Sequence, residues 1–255
     1  MSLVLHTTRY GLRAFARNRK ARLLTLVFPL LLLVIFEGIF NQGKVAVNGV
    51  QVDYGVFFAP SVIVFTLTTT TLAMLISSVV SQRELGILKR RRATPLPASA
   101  IVVSQSLTVI LMAIAAVAVL LLVAGVVFGT TVPLAGVPTL IAGVLFGSAA
   151  FCGLAYALST FVDSADSAQP LIQLVMFPLF FISGVWVPTS QLPDWLQTVA
   201  AIFPVEHVAD LVHRSFVGAV GLGPVLTDVG ALILWTVVGA RVAAARFGWM
   251  PSRKG

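Results

Sequence analysis

The chain has 255 residues, 58% of them apolar and only 10% charged, with a mean hydropathy of +1.00. Soluble domains carry about 25% charged residues, so the composition excludes an ordinary soluble enzyme and a disordered chain, and a single cysteine excludes a disulfide-stapled secreted domain. The 17 Lys and Arg against 9 Asp and Glu would suggest nucleic acid in a soluble protein; in a polytopic membrane protein, placement matters more than the sum.

Taken in chain order, residues 1–22 read as an amphipathic interfacial helix. Arg9, Arg13, Arg17 and Lys20 fall on one narrow arc, and Val4, Leu5, Leu12, Phe15 and Ala16 on another, the pattern of a helix lying in the headgroup plane with its cations on anionic lipid. A signal peptide is not expected, because no A-x-A site follows the apolar run. Charge-free stretches at 54–82, 93–162 and 167–193 mark the bilayer, given about 20 apolar residues per crossing. The expectation is an all-α protein of six transmembrane helices: Leu23–Phe40, Gly55–Val80, Ser99–Phe128, Gly136–Val162, Gln169–Val187 and Gly223–Ala243, with a Gly/Pro turn at 129–136. The transmembrane domain spans 23–245, and 246–255 form a tail.

Fifteen of the seventeen cations fall in the N-terminal segment, the loop between spans 2 and 3, and the C-terminus. Only Lys44 and Arg214 lie on the opposite side. The positive-inside rule therefore places both termini in the cytoplasm.

Gly38, Gly43 and Lys44 fit the phosphate-loop spacing, but Val45 stands where Ser or Thr must hold Mg²⁺, and the segment leaves a span rather than opening a helix. The chain is expected to bind no nucleotide itself.

The inner loop 81–97 carries Glu84, Gly86, Leu88, Lys89, Arg90, Arg92, Ala93, Thr94, Pro95 and Leu96. A plain topological anchor explains its cations but not its glutamate, glycine or prolines. This arrangement resembles the loop E-x-G-T-L-K-R-L-R-A-T-P-L of the ABC-2 family of ATP-binding-cassette permeases, with Ile87 and Arg91 departing from it. A second block is similar too: Phe177-Pro178 through Ser183-Gly184 to Pro188, then Leu192-Pro193, Trp195-Leu196 and Phe203-Pro204, where Phe203 replaces the usual Asn. The 35 residues 188–222 are too many for a turn, and their prolines divide them into two short amphipathic pieces expected to dip into the outer leaflet as re-entrant helices.

The resemblance implies a permease subunit that moves a hydrophobic or amphipathic substrate (a drug, natural product or lipid) by alternating access. It implies a partner ABC ATPase in two copies, which binds ATP and Mg²⁺, and a second permease copy in a homodimer or with a similar permease. Arg83, Glu84, Gly86, Leu88, Lys89, Arg90 and Arg92 are the implied ATPase-coupling residues. The substrate path is implied to run along spans 2 and 5. Thr66, Thr69 and Thr70 share one face of span 2, where their hydroxyls either line that path or bond back to their own helix. Phe177, Phe180 and Phe181 form a stripe on span 5, either core, lipid-facing or ligand-facing. Glu37, an intramembrane carboxylate near the end of span 1, is a further candidate for a cationic substrate or a proton.

Glu206, Asp210 and His213 fall on one helical face. A polar face with an Asp210–Arg214 pair is the expected reading, ahead of a metal site, and no metal or catalytic residue is assigned. Gly143-x-x-x-Gly147 and Gly125-x-x-x-Gly129 permit close helix approach, within or between subunits; Cys152 reads as a small buried residue, and the 163–167 loop has no assigned role. Arg outnumbers Lys 13 to 4, pointing to the plasma membrane of a GC-rich bacterium. A lipid or lipid-linked glycan exporter, an ion-coupled secondary transporter using Glu37, and a membrane-embedded enzyme remain alternatives.

Overall fold

The computed structural model describes residues 2–39, 44–47, 50–92, 97–218 and 221–246. Helix α1 (Ser2–Arg17) ends where Asn18 N–H bonds the carbonyls of Ala14 and Phe15, and α2 (Arg19–Ile39) begins one residue later. Arg19, Lys20 and Arg22 thus belong to α2, not to the interfacial helix expected over 1–22. Val4, Leu12 and Phe15 are partly buried, whereas Leu5 and Ala16 are exposed. The inward face is completed by Thr8 and Gly11, which meet a later helix.

Two short strands follow, β1 (Lys44–Val47) and β2 (Val50–Asp53), paired antiparallel with Lys44 opposite Asp53 and Val47 opposite Val50. This short pair is a local addition to an otherwise helical fold. The alternation Val45, Val47, Val50, Val52 around Asn48-Gly49 is a local hairpin signal, of strand formers flanking the dipeptide favoured in tight turns.

The second apolar element is continuous but composite. Helix α3 (Tyr54–Thr68) passes into a π-helical turn, Thr69–Ala73, and then α4 (Met74–Glu84). The cause lies in the threonine run. Thr66, Thr68, Thr69 and Thr71 each turn their hydroxyl back to a carbonyl four residues earlier, at 2.6–2.8 Å, a bonding mode that loosens and bends the ladder. A short α5 (Ile87–Arg92) follows, and α6 (Ala98–Phe128) runs 31 residues to a left-handed Gly129.

Helix α7 (Val137–Ser159) leads to α8 (Ala165–Ile182), whose start lies ahead of the expected Gln169 because Ser164 and Ser167 form a reciprocal capping box. Its end falls at Ser183, before the left-handed Gly184, short of the expected Val187. Two short helices, α9 (Asp194–Ala200) and α10 (Pro204–Val217), precede α11 (Leu222–Arg246).

Among the described residues, five helical segments are long and apolar enough to cross a membrane: 57–84, 99–128, 134–159, 165–182 and 222–245. The apolar part of α2, Thr25–Ile39, has 15 residues and reaches ~22 Å at 1.5 Å per residue, less than the ~30 Å hydrocarbon layer. The chain is a multi-pass membrane protein.

Helix α3 and the π turn form the centre: Val62, Val64, Leu67 and Leu72 are fully buried. Helix α10 is wrapped by α3, α7 and α11, burying Val208, Leu211 and Val212. Gly143 and Gly147 of α7 face Leu211 and Val208 of α10, so this small-residue pair packs within the chain; a Cβ on Gly147 would sit 2.6 Å from Val208. Helices α7 and α11 also approach closely, so that a Cβ on Gly239 would lie 2.4 Å from the backbone of Gly153. Gly125 and Gly129 make no such close contact.

Candidate functional site

A groove of about 700 Å³ opens between α2, the α3–π–α4 rod and α8. Its wall is aromatic because each element contributes rings at helical spacing: Phe28 and Phe36 from α2, Phe58 and Phe65 from α3, Phe180 from α8, and Trp186 just beyond α8. Phe36 stacks on Phe58 at 4.6 Å, and Phe65 lies 5.1 Å from Phe180 and 5.5 Å from Trp186. Gln169, Gln173 and Gln191 supply neutral amides along the same wall. Such a surface holds bulky apolar or amphipathic molecules by area and ring contact, with few directional demands.

The aromatic stripe expected on span 5 is brought into this groove whole: Phe177, Phe180 and Phe181 all line it, with Phe177 and Phe181 exposed. The threonine face is divided. Thr69 lines the groove, whereas Thr66 and Thr70 are buried away from it, and the Thr66 hydroxyl bonds back to Val62 O. Glu37 stands outside the groove although its neighbour Phe36 lines it. It is buried beside Thr130 of the α6–α7 turn, and its Oε1 has no hydrogen-bond partner. Phe36, Phe58, Phe65 and Trp186 carry no sequence signal of their own, since they meet only when α2, α3 and α8 converge.

The basic loop is also divided by the fold. Arg83 is buried, donating to the carbonyls of Ser159 (3.1 Å) and Val162 at the end of α7. Glu84 accepts from the backbone N–H of Ala165 at 2.8 Å, capping the first turn of α8. Gly86 adopts φ +67°, a conformation costly for any residue with a Cβ, and this turn swings α5 so that Leu88 packs inward at 1% exposure. Lys89 and Arg90 are exposed, and Arg90 donates to Leu85 O at 3.3 Å. Arg92 closes α5; Ala93, Thr94, Pro95 and Leu96 lie outside the described residues. The 163–167 loop, for which the sequence suggests no role, anchors Glu84 through Ala165, while Arg83 bonds the chain just ahead of it at Ser159 and Val162.

At the opposite end, Asp210 pairs with Arg214 at 3.0 Å, as the i, i+4 spacing predicts. His213 does not join Glu206 and Asp210. Its Nδ1 faces Ala209 O at 2.8 Å, its Nε2 meets Ser61 Oγ at 3.1 Å, and its ring stacks on Phe57. Burial holds this imidazole below its ordinary range, and its Nδ1–H donates to the Ala209 carbonyl, which can only accept. His207 takes its place beside the acids, with Nδ1 2.9 Å from Asp228 Oδ1 and 3.6 Å from Glu206 Oε2. Burial raises the Glu206 carboxyl, with Asp210 adding to the effect. Burial opposes the charge on His207, but the Asp228 hydrogen bond and the Glu206 carboxylate hold it above its usual range. Among the described residues no three His, Cys, Asp or Glu converge in a metal-binding geometry.

The sequence matches the family described as "ABC-2 type transporter" over residues 3–217, from α1 to the end of α10. The chain belongs to the ABC-2 type transporter family. This ABC-2 chain is 24% identical over 198 residues to the "Probable multidrug ABC transporter permease YbhR" of Escherichia coli strain K12, covering 77% of this chain and 53% of that one. It is 29% identical over 187 residues to the "Putative transport permease ycf38" of Porphyra purpurea (72% of this chain, 64% of that one). It is 31% identical over 96 residues to "Nodulation protein J" of Rhizobium leguminosarum bv. viciae (38% and 37%). The chain thus spans about half to just under two thirds of the length of the first two relatives. Groove, divided basic loop and α10 all fall inside the ABC-2 match.

Proposed function

We propose that this chain is the membrane-spanning permease subunit of an ATP-driven ABC exporter that carries hydrophobic or amphipathic molecules. The observation that carries this reading is the junction of the groove with the basic loop. One groove wall, α3–π–α4, continues directly into α5, and the other, α8, is tied to the same point through Glu84 and Ala165. A push on the exposed Lys89 and Arg90 of α5 therefore moves both walls together. In this reading, α2 completes a sixth span, both termini face the cytoplasm of a bacterium, and two permease copies pair above two ATPase subunits that bind ATP and Mg²⁺. Helices α9 and α10 form a re-entrant outer segment, with the exposed Trp195 and Ile202 in the outer leaflet. ATP-driven closure of the ATPase pair shifts α4 and α8 and alternates the groove between the two faces.

A second substrate reading, a lipid or lipid-linked glycan, is favoured by Gln169, Gln173 and Gln191, whose amides suit hydroxyl-rich groups at one side of an aromatic groove. The test is co-purification with an ABC ATPase and ATP-dependent transport of a hydrophobic dye in vesicles of the reconstituted pair. Lys89→Glu with Arg90→Glu is expected to abolish ATPase binding and transport. Transport that runs without any ATPase, and is lost in Glu37→Gln, overturns this reading in favour of an ion-coupled carrier.

A further inference from the structure

A second cavity of about 700 Å³ lies away from the groove, between α1, α4 and α6. Helix α1 is seated on α6 through Gly11, where a Cβ would meet Thr108 Oγ1 at 2.8 Å, and through Thr8, whose hydroxyl approaches Ser104 O at 3.4 Å. The cavity wall is graded in polarity. Along α4, Met74 and Leu75 line it first, and Ser78 and Gln82 follow toward α5; the rise from Met74 to Gln82 is ~12 Å at 1.5 Å per residue. Helix α6 runs back along the π turn and α3, and on it Ser104 and Gln105 come before Val109 and Met112. Both helices therefore set amides and hydroxyls at the end nearer α5, and apolar side chains at the end nearer the π turn.

The polar end is a connected chain with donors to spare. Gln82 Nε2 donates to Ser78 Oγ at 2.7 Å, Gln105 Nε2 donates to Gln82 Oε1 at 2.8 Å, and Tyr156 OH lies 3.1 Å from Gln105 Oε1. A primary amide carries two N–H groups, and these bonds use one on each glutamine. Ser104 and Thr108 donate their hydroxyl protons to the carbonyls of Ile101 and Ser104, so their oxygens are left as acceptors. Donors and acceptors side by side complement hydroxyl groups, which are both. Among the described residues, none that lines the cavity is charged, and Arg9, Arg13 and Arg17 of α1 stand outside it. A charged head brought against this wall would lose water and gain no counter-charge. The volume falls in the ~300–1,000 Å³ range of small-molecule sites, room for one chain.

We propose that the cavity beneath α1 binds one uncharged, single-chain amphiphile with a hydroxylated head, of the monoacylglycerol kind. Its head meets Gln82 and Gln105, and its chain runs past Met74 and Met112. The site is separate from the transport groove and does not depend on an ATPase.

The test offers the purified full chain, in vesicles of phosphatidylcholine, equal amounts of three amphiphiles with the same chain: monoolein, oleate and oleylamine. The protein is then extracted in a zwitterionic detergent and weighed intact by native mass spectrometry. One monoolein per chain is expected to persist, about tenfold above either charged analogue. Ala14→Trp, at an exposed position lining the cavity, should fill the space and lower that retention about tenfold with the melting temperature of the ligand-free protein unchanged. Phe177→Ala, in the transport groove, should leave it as in the wild type. Gln82→Glu keeps an acceptor for Gln105 but loses both N–H donors, and should reverse the order so that oleylamine exceeds monoolein. Equal retention of the three amphiphiles by the wild type overturns the proposal. Unchanged retention in Ala14→Trp, or an unchanged order in Gln82→Glu, overturns it too. A failure here leaves the transport reading standing, and a failure of ATP-dependent transport leaves this one standing.

Discussion

His207 of α10 and Asp228 of α11 are joined through Nδ1 and Oδ1 at 2.9 Å, both buried, 21 residues apart in the chain. This bond fastens the short α10 to the last long helix, beside the Trp235 indole N–H that donates to Ile202 O at 2.8 Å. Both His207 and Glu206 bind protons more tightly folded than unfolded. Their contribution to stability is therefore present at low pH and lost as pH rises. For Glu206 that loss runs from about 4.5 to about 7, and for His207 it lies above 6.5. The melting temperature in detergent should fall as pH rises from about 4.5 through about 7 and go on falling above that, and Asp228→Asn should flatten the part above 6.5. Asp228→Ala, which strands a buried imidazole, should cost about 1–3 kcal/mol at pH 6. A pH-independent melting temperature in the wild type would contradict the clamp.

The contact of Gly153 with Gly239 predicts strong intolerance of size. Gly239→Val must separate α7 from α11, because its Cβ meets backbone rather than a movable side chain. A loss of about 1–3 kcal/mol or more is expected in thermal melts. Gly230→Ala on the same helix, with nothing within 4 Å of its Cβ, is the matched control and should be near neutral.

The division of the basic loop separates two classes of variant. Glu84→Ala removes the acceptor at the start of α8 and should lower stability by about 0.5–2 kcal/mol. Arg83→Ala strips two carbonyls of their donor and should cost more. Lys89→Glu and Arg90→Glu should leave the melting temperature unchanged while ATPase co-purification is lost. Loss of ATPase binding in a Glu84 variant that melts like the wild type would show that its carboxylate also serves the partner.

Within the threonine run, Thr69→Val and Thr66→Val should differ. Both lose a hydroxyl bonded to the helix itself, but only Thr69 lines the groove. Thr69→Val and Phe177→Ala are expected to alter the apparent affinity for a transported dye several-fold, with Thr66→Val within twofold of the wild type. Indistinguishable affinities for all three would remove the groove from the transport path.

Much of the fold is legible in the sequence because it depends on local composition. Apolar length places the helices within a few residues of α3–α4, α6, α7, α8 and α11, and the spacing of Asp210 and Arg214 foretells their pair. Misplaced boundaries have local causes of their own. The Ser164–Ser167 cap starts α8 early, and Val45–Val52 around Asn48-Gly49 pairs as strands within an otherwise apolar helical pattern.

What the sequence alone determined is a membrane chain of apolar helices, with its cations gathered in few places and an aromatic stripe on α8. Hydropathy and charge act along the chain, so a window of twenty residues contains them. Which residues meet across the bundle was decided only by tertiary packing. Glu84 with Ala165, His207 with Asp228, and Phe65 with Trp186 are each set by how helices cross. It is that crossing that turned part of a basic loop inward as a structural tie and left Lys89 and Arg90 facing out.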